Sequence, residues 1–249
     1  MNTRYHASLR QQLTAKADPK TKAWWENYVK DSAPFLGVKM ADVRAVVHRW
    51  YEAEVADELN PETHLDLALS LFAGETTEEK LAGTLFLQEI LLPAGALRCD
   101  RDLDRLAELF TAGQIYDWNV CDWFCVKVLG PLIKEEGESC ARSIAAWHTA
   151  ENLWQARASL VAFVPVAEQT DYYPLIETAC ATLIRRPERF AKTAVGWILR
   201  DISRQDPAFV ERVVEANLPH FSTESLKNAL KYFDLRERKA YQQRLKQAS

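Results

Sequence analysis

A helical spacing of apolar residues recurs in almost every segment of this 249-residue chain, and no segment alternates apolar and polar residues as a strand would. Glycine and proline occur only eight and ten times, so little interrupts this pattern. Hydrophobic residues make up 48% of the chain, which is enough for a substantial core. The sequence therefore predicts an all-α protein.

Turn signals divide the chain into roughly fourteen helices joined by short loops. The clearest are Asp18-Pro19, Asn60-Pro61 and Gly130-Pro131, where one helix is expected to end or the next to begin. Helix pairs recur about every 35–45 residues, a period typical of helical solenoids whose repeats bury one face against their neighbours. A curved α-α superhelix would offer a concave face, whereas an irregular helical bundle, the alternative, would not.

Composition excludes several classes of protein. The sequence has neither an apolar run of about eighteen residues nor a basic-then-apolar leader, so a cytosolic protein without membrane segments is expected. No CxxC pair or HxxxH pattern occurs among the five cysteines and five histidines. Neither a disulfide framework nor a zinc site is therefore predicted, and the cysteines are interpreted as core thiols.

Charge is distributed unevenly along the chain. The net charge is −4, but residues 1–180 contain 17 Lys and Arg against 27 Asp and Glu, whereas residues 181–249 contain 14 against 8. A basic face on an otherwise acidic protein can attract a polyanion through its local field. The alternative is that these charges only solvate helix surfaces.

The segment Tyr116–Trp123 carries the first candidate site. Trp118 and Asp122 are four residues apart, so on a helix they share a face one turn from each other. Asp117 or Asn119 can cap that helix, which leaves Asp122 without a structural function. A carboxylate in an apolar run requires a partner, access to solvent or a chemical function, although an aspartate that merely faces water is the simpler interpretation.

Two further segments combine tryptophan with arginine. Arg157 follows Trp154 by three residues inside the apolar run that begins at Leu153, so it must reach solvent or find an anion, which could be a phosphate or a neighbouring carboxylate. In Lys192–Arg200, Trp197 and Arg200 share a helical face, and Gly196 is expected to permit close approach to Trp197. A buried core tryptophan is the alternative there.

Four motifs together resemble the AlkD-type DNA alkylation-repair glycosylases, a family of HEAT-like helical repeats. They occur in the family's order between about Tyr28 and Arg204: Tyr28-Val29-Lys30 with Phe35-Leu36-Gly37-Val38 and Arg44, Trp118-Asn119-Val120-Cys121-Asp122, Trp154-Gln155-Ala156-Arg157, and Val195-Gly196-Trp197-Ile198-Leu199-Arg200. The resemblance implies one HEAT-like repeat domain over residues 1–249. It also implies a concave DNA-binding face.

The same resemblance implies residue functions. Asp122 corresponds to the catalytic carboxylate, Trp118 and Trp197 to the aromatic walls of the site, and Arg157 to a residue that holds backbone phosphate. The matching motifs add further DNA-binding candidates, which are Tyr28, Arg44, Lys192 and Arg200.

The implied reaction is hydrolysis of the N-glycosidic bond of positively charged alkylpurines, such as 7-alkylguanine and 3-alkyladenine, in duplex DNA. A carboxylate can stabilise the oxocarbenium-like transition state, so no metal or redox cofactor is expected. The expected protein is a monomer in the cytoplasm that holds the lesion by its backbone without flipping the base into a tight pocket. The alternative is a non-catalytic repeat scaffold that binds branched or damaged DNA or a protein partner.

Overall fold

The computed structural model confirms the all-α prediction. It describes residues 2–248 apart from four side chains, those of Asn2, Pro61, Glu62 and Ala248, and this part of the chain contains no β-strand. Within it, no helix combines the length and hydropathy that a membrane span requires.

The chain divides into two compact units, one ending at Val128 and the other beginning at Leu129. The single domain predicted over residues 1–249 includes Met1 and Ser249, which lie outside the described residues, and it stays a prediction.

The first unit contains seven α-helices within its described residues. They are α1 (Asn2–Thr14), α2 (Pro19–Tyr28), α3 (Met40–Trp50), α4 (Pro61–Ser70), α5 (Thr77–Phe86), α6 (Cys99–Thr111) and α7 (Trp118–Phe124). Wider, π-helical turns continue α3, α5 and α7 at Tyr51–Val55, Leu87–Leu91 and Cys125–Leu129.

The second unit contains eight α-helices within its described residues. They are α8 (Gly130–Glu136), α9 (Glu138–Ala145), α10 (Leu153–Val161), α11 (Tyr173–Leu183), α12 (Arg189–Ile202), α13 (Pro207–Asn217), α14 (Thr223–Ala229) and α15 (Leu235–Ala248). Short 3-10 turns connect several of them.

Each unit stacks its helices in alternation. In the first, α1 packs against α3, α3 against α5, and α5 against α7. In the second, α9, α11 and α13 form one such series and α10, α12 and α14 another. Contact between every second helix is the arrangement of stacked helical pairs, because each helix meets its equivalent in the next repeat. The helical-repeat prediction is therefore confirmed.

Local capping fixes where helices begin. The Asp18 carboxylate accepts the Thr21 backbone N–H at 2.9 Å and begins α2, as predicted. Asn60 begins α4 by accepting the Thr63 backbone N–H at 2.9 Å. These bonds satisfy donors that have no partner inside the helix, and they depend only on neighbouring residues.

A buried carboxylate on α5 fixes the loop between α2 and α3. Glu78, only 1% exposed, accepts the backbone N–H groups of Leu36, Gly37 and Val38 at 2.9, 2.8 and 3.0 Å. Gly37 has φ of +93°, and a Cβ there would lie 2.4 Å from the Asp18 carbonyl oxygen. The loop is thus held by α5 on one side and packs against the start of α2 on the other.

α8 begins at the predicted Gly130-Pro131 boundary, but the predicted interruption of the helix is wrong, because Leu129 before it and Gly130–Glu136 are all helical. Pro131 lies in the first turn of α8, where the missing N–H costs little. A Cβ on Gly130 would lie 2.6 Å from Cγ of Pro165, so this glycine permits close packing rather than a turn. The helix ends instead at Gly137, whose φ is +72°.

We expect Glu78→Ala to lower the free energy of unfolding by about 3–5 kcal/mol, because three N–H groups, two of them buried, would lose their acceptor. Denaturant unfolding followed by circular dichroism measures this loss. Glu75→Ala is the matched control: its side chain is 76% exposed and pairs with Arg10, so its effect should stay within about 0.5 kcal/mol. Equal effects of the two substitutions would contradict the assignment.

Candidate functional site

Asp117 begins α7, the helix that carries Trp118 and Asp122. One oxygen of its carboxylate, Oδ1, accepts the backbone N–H groups of Asn119 and Val120 at 2.7 and 3.2 Å. The predicted cap is therefore Asp117, and the start of α7 does not require Asp122.

Burial along α7 separates a core face from a partly exposed one. Val120, Cys121 and Phe124 are fully buried, whereas Trp118 and Asp122 are half-buried. Because Trp118 and Asp122 are one turn apart, an indole and a carboxylate lie at the same boundary between core and solvent. The arrangement brings together the two α7 residues predicted from the sequence.

Burial and neighbouring charged groups shift the pKa of Asp117. Burial raises the pKa of Asp117, the hydrogen bonds from Asn119 and Val120 and the charge of Lys80 act to lower it, and Asp122 acts to raise it. Burial also lowers the pKa of Lys80, whose Nζ donates to the Phe72 carbonyl oxygen at 2.5 Å. The second carboxylate oxygen of Asp117, Oδ2, is buried without a hydrogen-bond partner among the described residues. Asp122 thus lies near a second, deeply buried carboxyl group.

An aromatic cluster supports Trp118. Trp118 and Trp25 pack against buried Val29, Ala33 and Phe35. The Trp25 and Phe35 rings stack with centroids 5.6 Å apart. This cluster fixes the position of the tryptophan beside Asp122.

Tyr28, predicted as a DNA-binding residue, belongs to the exposed side of this cluster. Its ring meets Trp118 edge-on at 5.6 Å and stacks on Trp24 at 5.2 Å. Sequence reasoning missed Trp24 and Trp25. The signal available was a tryptophan doublet with tyrosine one turn later, on a short helix.

Arg44, another DNA-binding candidate, pairs with a carboxylate. Its Nε donates to Glu89 Oε1 at 2.7 Å, and His48 Nε2 lies 2.7 Å from the other oxygen. Burial acts to raise the pKa of Glu89, but the hydrogen bonds from His48 and Arg44 outweigh burial and hold it below its ordinary value. An incoming phosphate would have to compete with Glu89 for Arg44.

Arg157, in the second unit, is buried against α12. It is 4% exposed, and its Nη1 donates to the Phe190 carbonyl oxygen at 2.7 Å and to Thr193 Oγ1 at 3.1 Å. The guanidinium carbon lies 6.0 Å from the Trp197 ring centroid. This geometry supports the position of Trp197, and the predicted phosphate contact stays a prediction.

Trp197 and Arg200 share one carboxylate on α12. The indole N–H donates to Asp201 Oδ2 at 3.0 Å, and Arg200 Nε donates to Asp201 Oδ1 at 2.8 Å. The Arg200 guanidinium also lies 5.8 Å from the Trp197 ring centroid. Hydrogen bonding and cation–π contact therefore hold the indole in place. Trp197 is only half-buried, so it is not the fully buried core tryptophan of the alternative interpretation.

Gly196 and Lys192, on the same helix, contact the segment around α14. A Cβ on Gly196 would lie 2.7 Å from the Ser225 carbonyl oxygen, so the glycine permits approach of α14 rather than access to Trp197 as predicted. Lys192 donates to the His220 carbonyl oxygen.

The candidate residues fall into two sets, each described within its own unit. The first unit contains Tyr28, Arg44, Trp118 and Asp122, and the second contains Arg157, Lys192, Trp197 and Arg200. The sequence prediction that members of both sets line one concave face stays a prediction.

The cysteines belong to the core. All five are buried, and the sulfur atoms of Cys121 and Cys125 are 3.9 Å apart. In the part of the chain that the structure describes, no group of three or more His, Cys, Asp or Glu side chains is positioned to bind a metal ion.

Comparison with known proteins adds a family and a fold. A family model described as DNA alkylation repair enzyme matches residues 9–233. A predicted DNA alkylation repair enzyme from Enterococcus faecalis has a similar structure, with a TM-score of 0.75 and 18% identity over 88% of this chain and 98% of that one.

A crystal structure of a Streptococcus mutans UA159 protein has a TM-score of 0.55 and 16% identity, over 86% of this chain and all of that one. At these identities the two structures establish a shared fold alone. A search of curated proteins finds no significant match.

The Glu89 cluster should contribute stability that depends on pH. Because the folded pKa of Glu89 is below its unfolded value of about 4.3, the contribution is present above that value and is lost as pH falls through the folded pKa. We expect Glu89→Gln to be about 1 kcal/mol less stable than wild type at pH 5.5, with the difference shrinking by pH 3. Denaturant unfolding across this range measures it, and a difference that grows on acidification contradicts the assignment.

Arg157→Ala should lower the free energy of unfolding by about 2–4 kcal/mol, because it leaves the Phe190 carbonyl oxygen without this donor and opens a gap beside Trp197. Arg212→Ala is the control, since that side chain is 59% exposed and lies 3.6 Å from Glu177. Chemical denaturation of both variants tests the difference. If Arg157→Ala is as stable as wild type, Arg157 does not hold this part of α12.

Proposed function

The chain belongs to the DNA alkylation repair enzymes, and from this membership we propose that it is a DNA glycosylase. Its substrates are positively charged alkylpurines in duplex DNA, with 7-alkylguanine and 3-alkyladenine as the class. The reaction is hydrolysis of the bond between the base and C1′ of the deoxyribose.

The observation that carries the proposal is the placement of Asp122. Its half-buried carboxylate lies one helical turn from Trp118, on a helix that is capped by Asp117. A carboxylate at such a boundary is desolvated on one side and reaches solvent on the other. That environment strengthens its interaction with a developing positive charge.

The proposed reaction uses the charge of the substrate. When the glycosidic bond breaks, its electron pair neutralises the alkylated base, which leaves as a neutral molecule, and the positive charge moves to the sugar ring. Asp122 stabilises this oxocarbenium-like centre and aligns a water molecule for attack at C1′. The water proton passes to Asp122 and then to solvent. Since the alkylated base is already cationic before the bond breaks, it can leave without protonation, and the proposed chemistry uses no cofactor.

Tryptophan contributes binding energy to the same step. Trp118, beside Asp122, contacts the sugar and the cationic base, and Trp197 in the second unit offers a further aromatic surface to the DNA; cation–π attraction is worth on the order of 1–2 kcal/mol for each ring when water is excluded. The internal contacts that hold each indole, through the Val29, Ala33 and Phe35 cluster and through Asp201, support such preorganised surfaces.

Backbone phosphates are bound by the cationic candidates. Arg44 and Arg200 already pair with Glu89 and Asp201, so phosphate binding exchanges one anion for another. Arg157, which is buried, acts in this scheme by holding α12 and Trp197 in place.

The lesion is held without an enclosing pocket. The cavity that Trp25, Phe35 and Trp123 help to line has a volume of about 70 Å³. Pockets that enclose ligands are typically about 300 Å³ or larger. The cavity beside α7 is therefore too small to enclose a purine, and we propose that the lesion is held there at an open surface. A larger cavity of about 450 Å³ lies in the second unit, where Arg200, Asp201 and Arg204 help to line it.

Asp122→Asn should abolish most excision while leaving DNA binding nearly unchanged. Asparagine keeps the size of the side chain but removes the charge, so the loss falls on the chemical step. Removing one preorganised electrostatic group costs about 3–4 kcal/mol, which is roughly a hundred- to thousandfold in rate. Single-turnover excision of 7-methylguanine from duplex DNA measures the rate.

Asp104→Asn is the matched control, because it makes the same charge change at an exposed position of α6. It should excise at the wild-type rate. Affinity for undamaged duplex at two salt concentrations shows whether either variant has lost DNA binding. Wild-type excision by Asp122→Asn would refute its catalytic function, and DNA binding without any excision by the wild type would favour a repeat scaffold.

A further inference from the structure

The C-terminal helix α15 presents a line of cations to solvent. It contains five Lys and Arg against one Glu. Arg236, Lys239 and Lys246 are exposed, and their spacing of three and seven residues places them on one face of the helix. In the part of the chain that the structure describes, none of these three side chains pairs with a carboxylate. This face of α15 therefore keeps its positive charge.

The opposite face of α15 fixes the helix to the second unit. Tyr241 and Leu245 are each 5% exposed. The Tyr241 hydroxyl donates to Glu215 at 2.8 Å, and both Nη atoms of Arg244 donate to the Glu215 carboxylate at 2.6 Å. Glu215 thus belongs to the contact that holds α15 in place, and it does not oppose the exposed cations.

The two acidic groups at the start of α15 cap the helix. Asp234 Oδ1 accepts the Glu237 backbone N–H at 2.8 Å, and Glu237 Oε2 accepts the Asp234 backbone N–H at 3.2 Å. Carboxylates at a helix start also interact favourably with the helix dipole. This negative charge is confined to the first turn, whereas the line of cations from Arg236 to Lys246 continues for about 15 Å at 1.5 Å per residue.

A second group of cations surrounds an exposed ring just before α15. Tyr232 is 45% exposed, and the Arg204 guanidinium lies 4.5 Å from its ring centroid and donates to its hydroxyl. Lys231 Nζ lies 5.7 Å from the same centroid. Contact with a ring orients a cation without neutralising it. Arg204, Lys231 and Tyr232 are called the Tyr232 cluster below.

The Tyr232 cluster is connected to the candidate site residues of the second unit. Arg204 follows Arg200 by four residues, and both line the cavity of about 450 Å³. Arg200 in turn contacts the Trp197 ring. The match to the family model ends at residue 233, so α15 lies beyond the matched part of the chain. The cations of α15 thus extend the surface around Trp197 with a helix that family membership does not account for.

We propose that α15 and the Tyr232 cluster bind the phosphate backbone of duplex DNA beside the lesion. Lys and Arg neutralise phosphates and release their counterions, which supplies affinity that does not depend on base sequence. The line from Arg236 to Lys246 spans about 15 Å, or roughly four base-pair steps of about 3.4 Å along one strand. The inference rests on the proposed function and identifies the surface that gives the second unit its general affinity for DNA.

The test measures affinity for an undamaged duplex by fluorescence anisotropy over a range of salt concentrations. We expect the α15 triple variant, Arg236→Gln with Lys239→Gln and Lys246→Gln, to bind roughly ten- to a few hundredfold more weakly at low salt. The slope of log K against log salt should fall in magnitude by about 2–3, because each phosphate contact contributes about 0.9.

Two further variants separate charge from helix packing. Arg204→Gln alone should lower the magnitude of the slope by about one, since it removes one cation from the Tyr232 cluster. The charge-conserving variant Arg236→Lys with Lys239→Arg and Lys246→Arg should keep the wild-type slope. Circular dichroism and the melting temperature show whether each variant is folded.

A matched control removes three arginines from the other helix series of the second unit. Arg142 on α9, Arg185 just after α11 and Arg212 on α13 are exposed, and changing all three to Gln alters the net charge by the same amount. This control should keep the wild-type slope. A wild-type slope in the α15 triple variant would overturn the inference, and so would an equal fall in the control, because net charge alone would then explain the effect.

Excision of 7-methylguanine by the wild type separates this inference from the proposed function. If the wild type excises this base and the α15 triple variant binds DNA as tightly as wild type, only the inference fails. If the wild type excises nothing and the α15 triple variant still loses salt dependence, the glycosylase proposal fails and the DNA-binding surface stands.

Discussion

Three consecutive charged residues at the start of α5 are buried, and the arrangement of the first unit depends on how each is compensated. Glu78 accepts three N–H groups of the loop after α2, Glu79 accepts the Thr76 N–H and hydroxyl at its own helix start, and Lys80 donates to the Phe72 carbonyl and attracts Asp117. Burying charges in this way is favourable only when every charge has partners. The same contacts hold the loop under the aromatic cluster and the start of α7, which carries Asp122. The packing of the first unit and the geometry of its candidate site therefore depend on the same buried charges.

How much could be predicted from the sequence depended on the distance between partners along the chain. Caps such as Asp18 and Asp117 bond to residues two or three positions away, so helix starts were predictable. The partners of Glu78 and Arg157 lie more than thirty residues away in the sequence, and no local pattern indicates which buried charge will find which backbone group. The turn predicted at Gly130 is wrong for the same reason, because this glycine permits contact with Pro165, which is 35 residues away in the sequence.

Charge differs between the two units, and this difference bears on the proposed chemistry. Residues 1–128 contain 14 Lys and Arg against 20 Asp and Glu, whereas residues 129–249 contain 17 against 15. An acidic first unit attracts phosphate weakly, and pairing of Arg44 with Glu89 reduces that attraction further. Under the proposed function, the second unit therefore supplies most of the general affinity for DNA.

The acidity of the first unit also favours the reaction that we propose for it. Asp122 lies near a second carboxyl group, Asp117, and both belong to a unit with excess negative charge. A field that repels phosphate stabilises a positive charge that develops on the sugar, since the two interactions have opposite sign. Under the proposed function, Trp118 extends this preference to the cationic base without adding charge. A DNA-repair enzyme whose substrate is itself a cation can thus combine an acidic catalytic unit with binding to a polyanion, provided that the phosphates are held elsewhere.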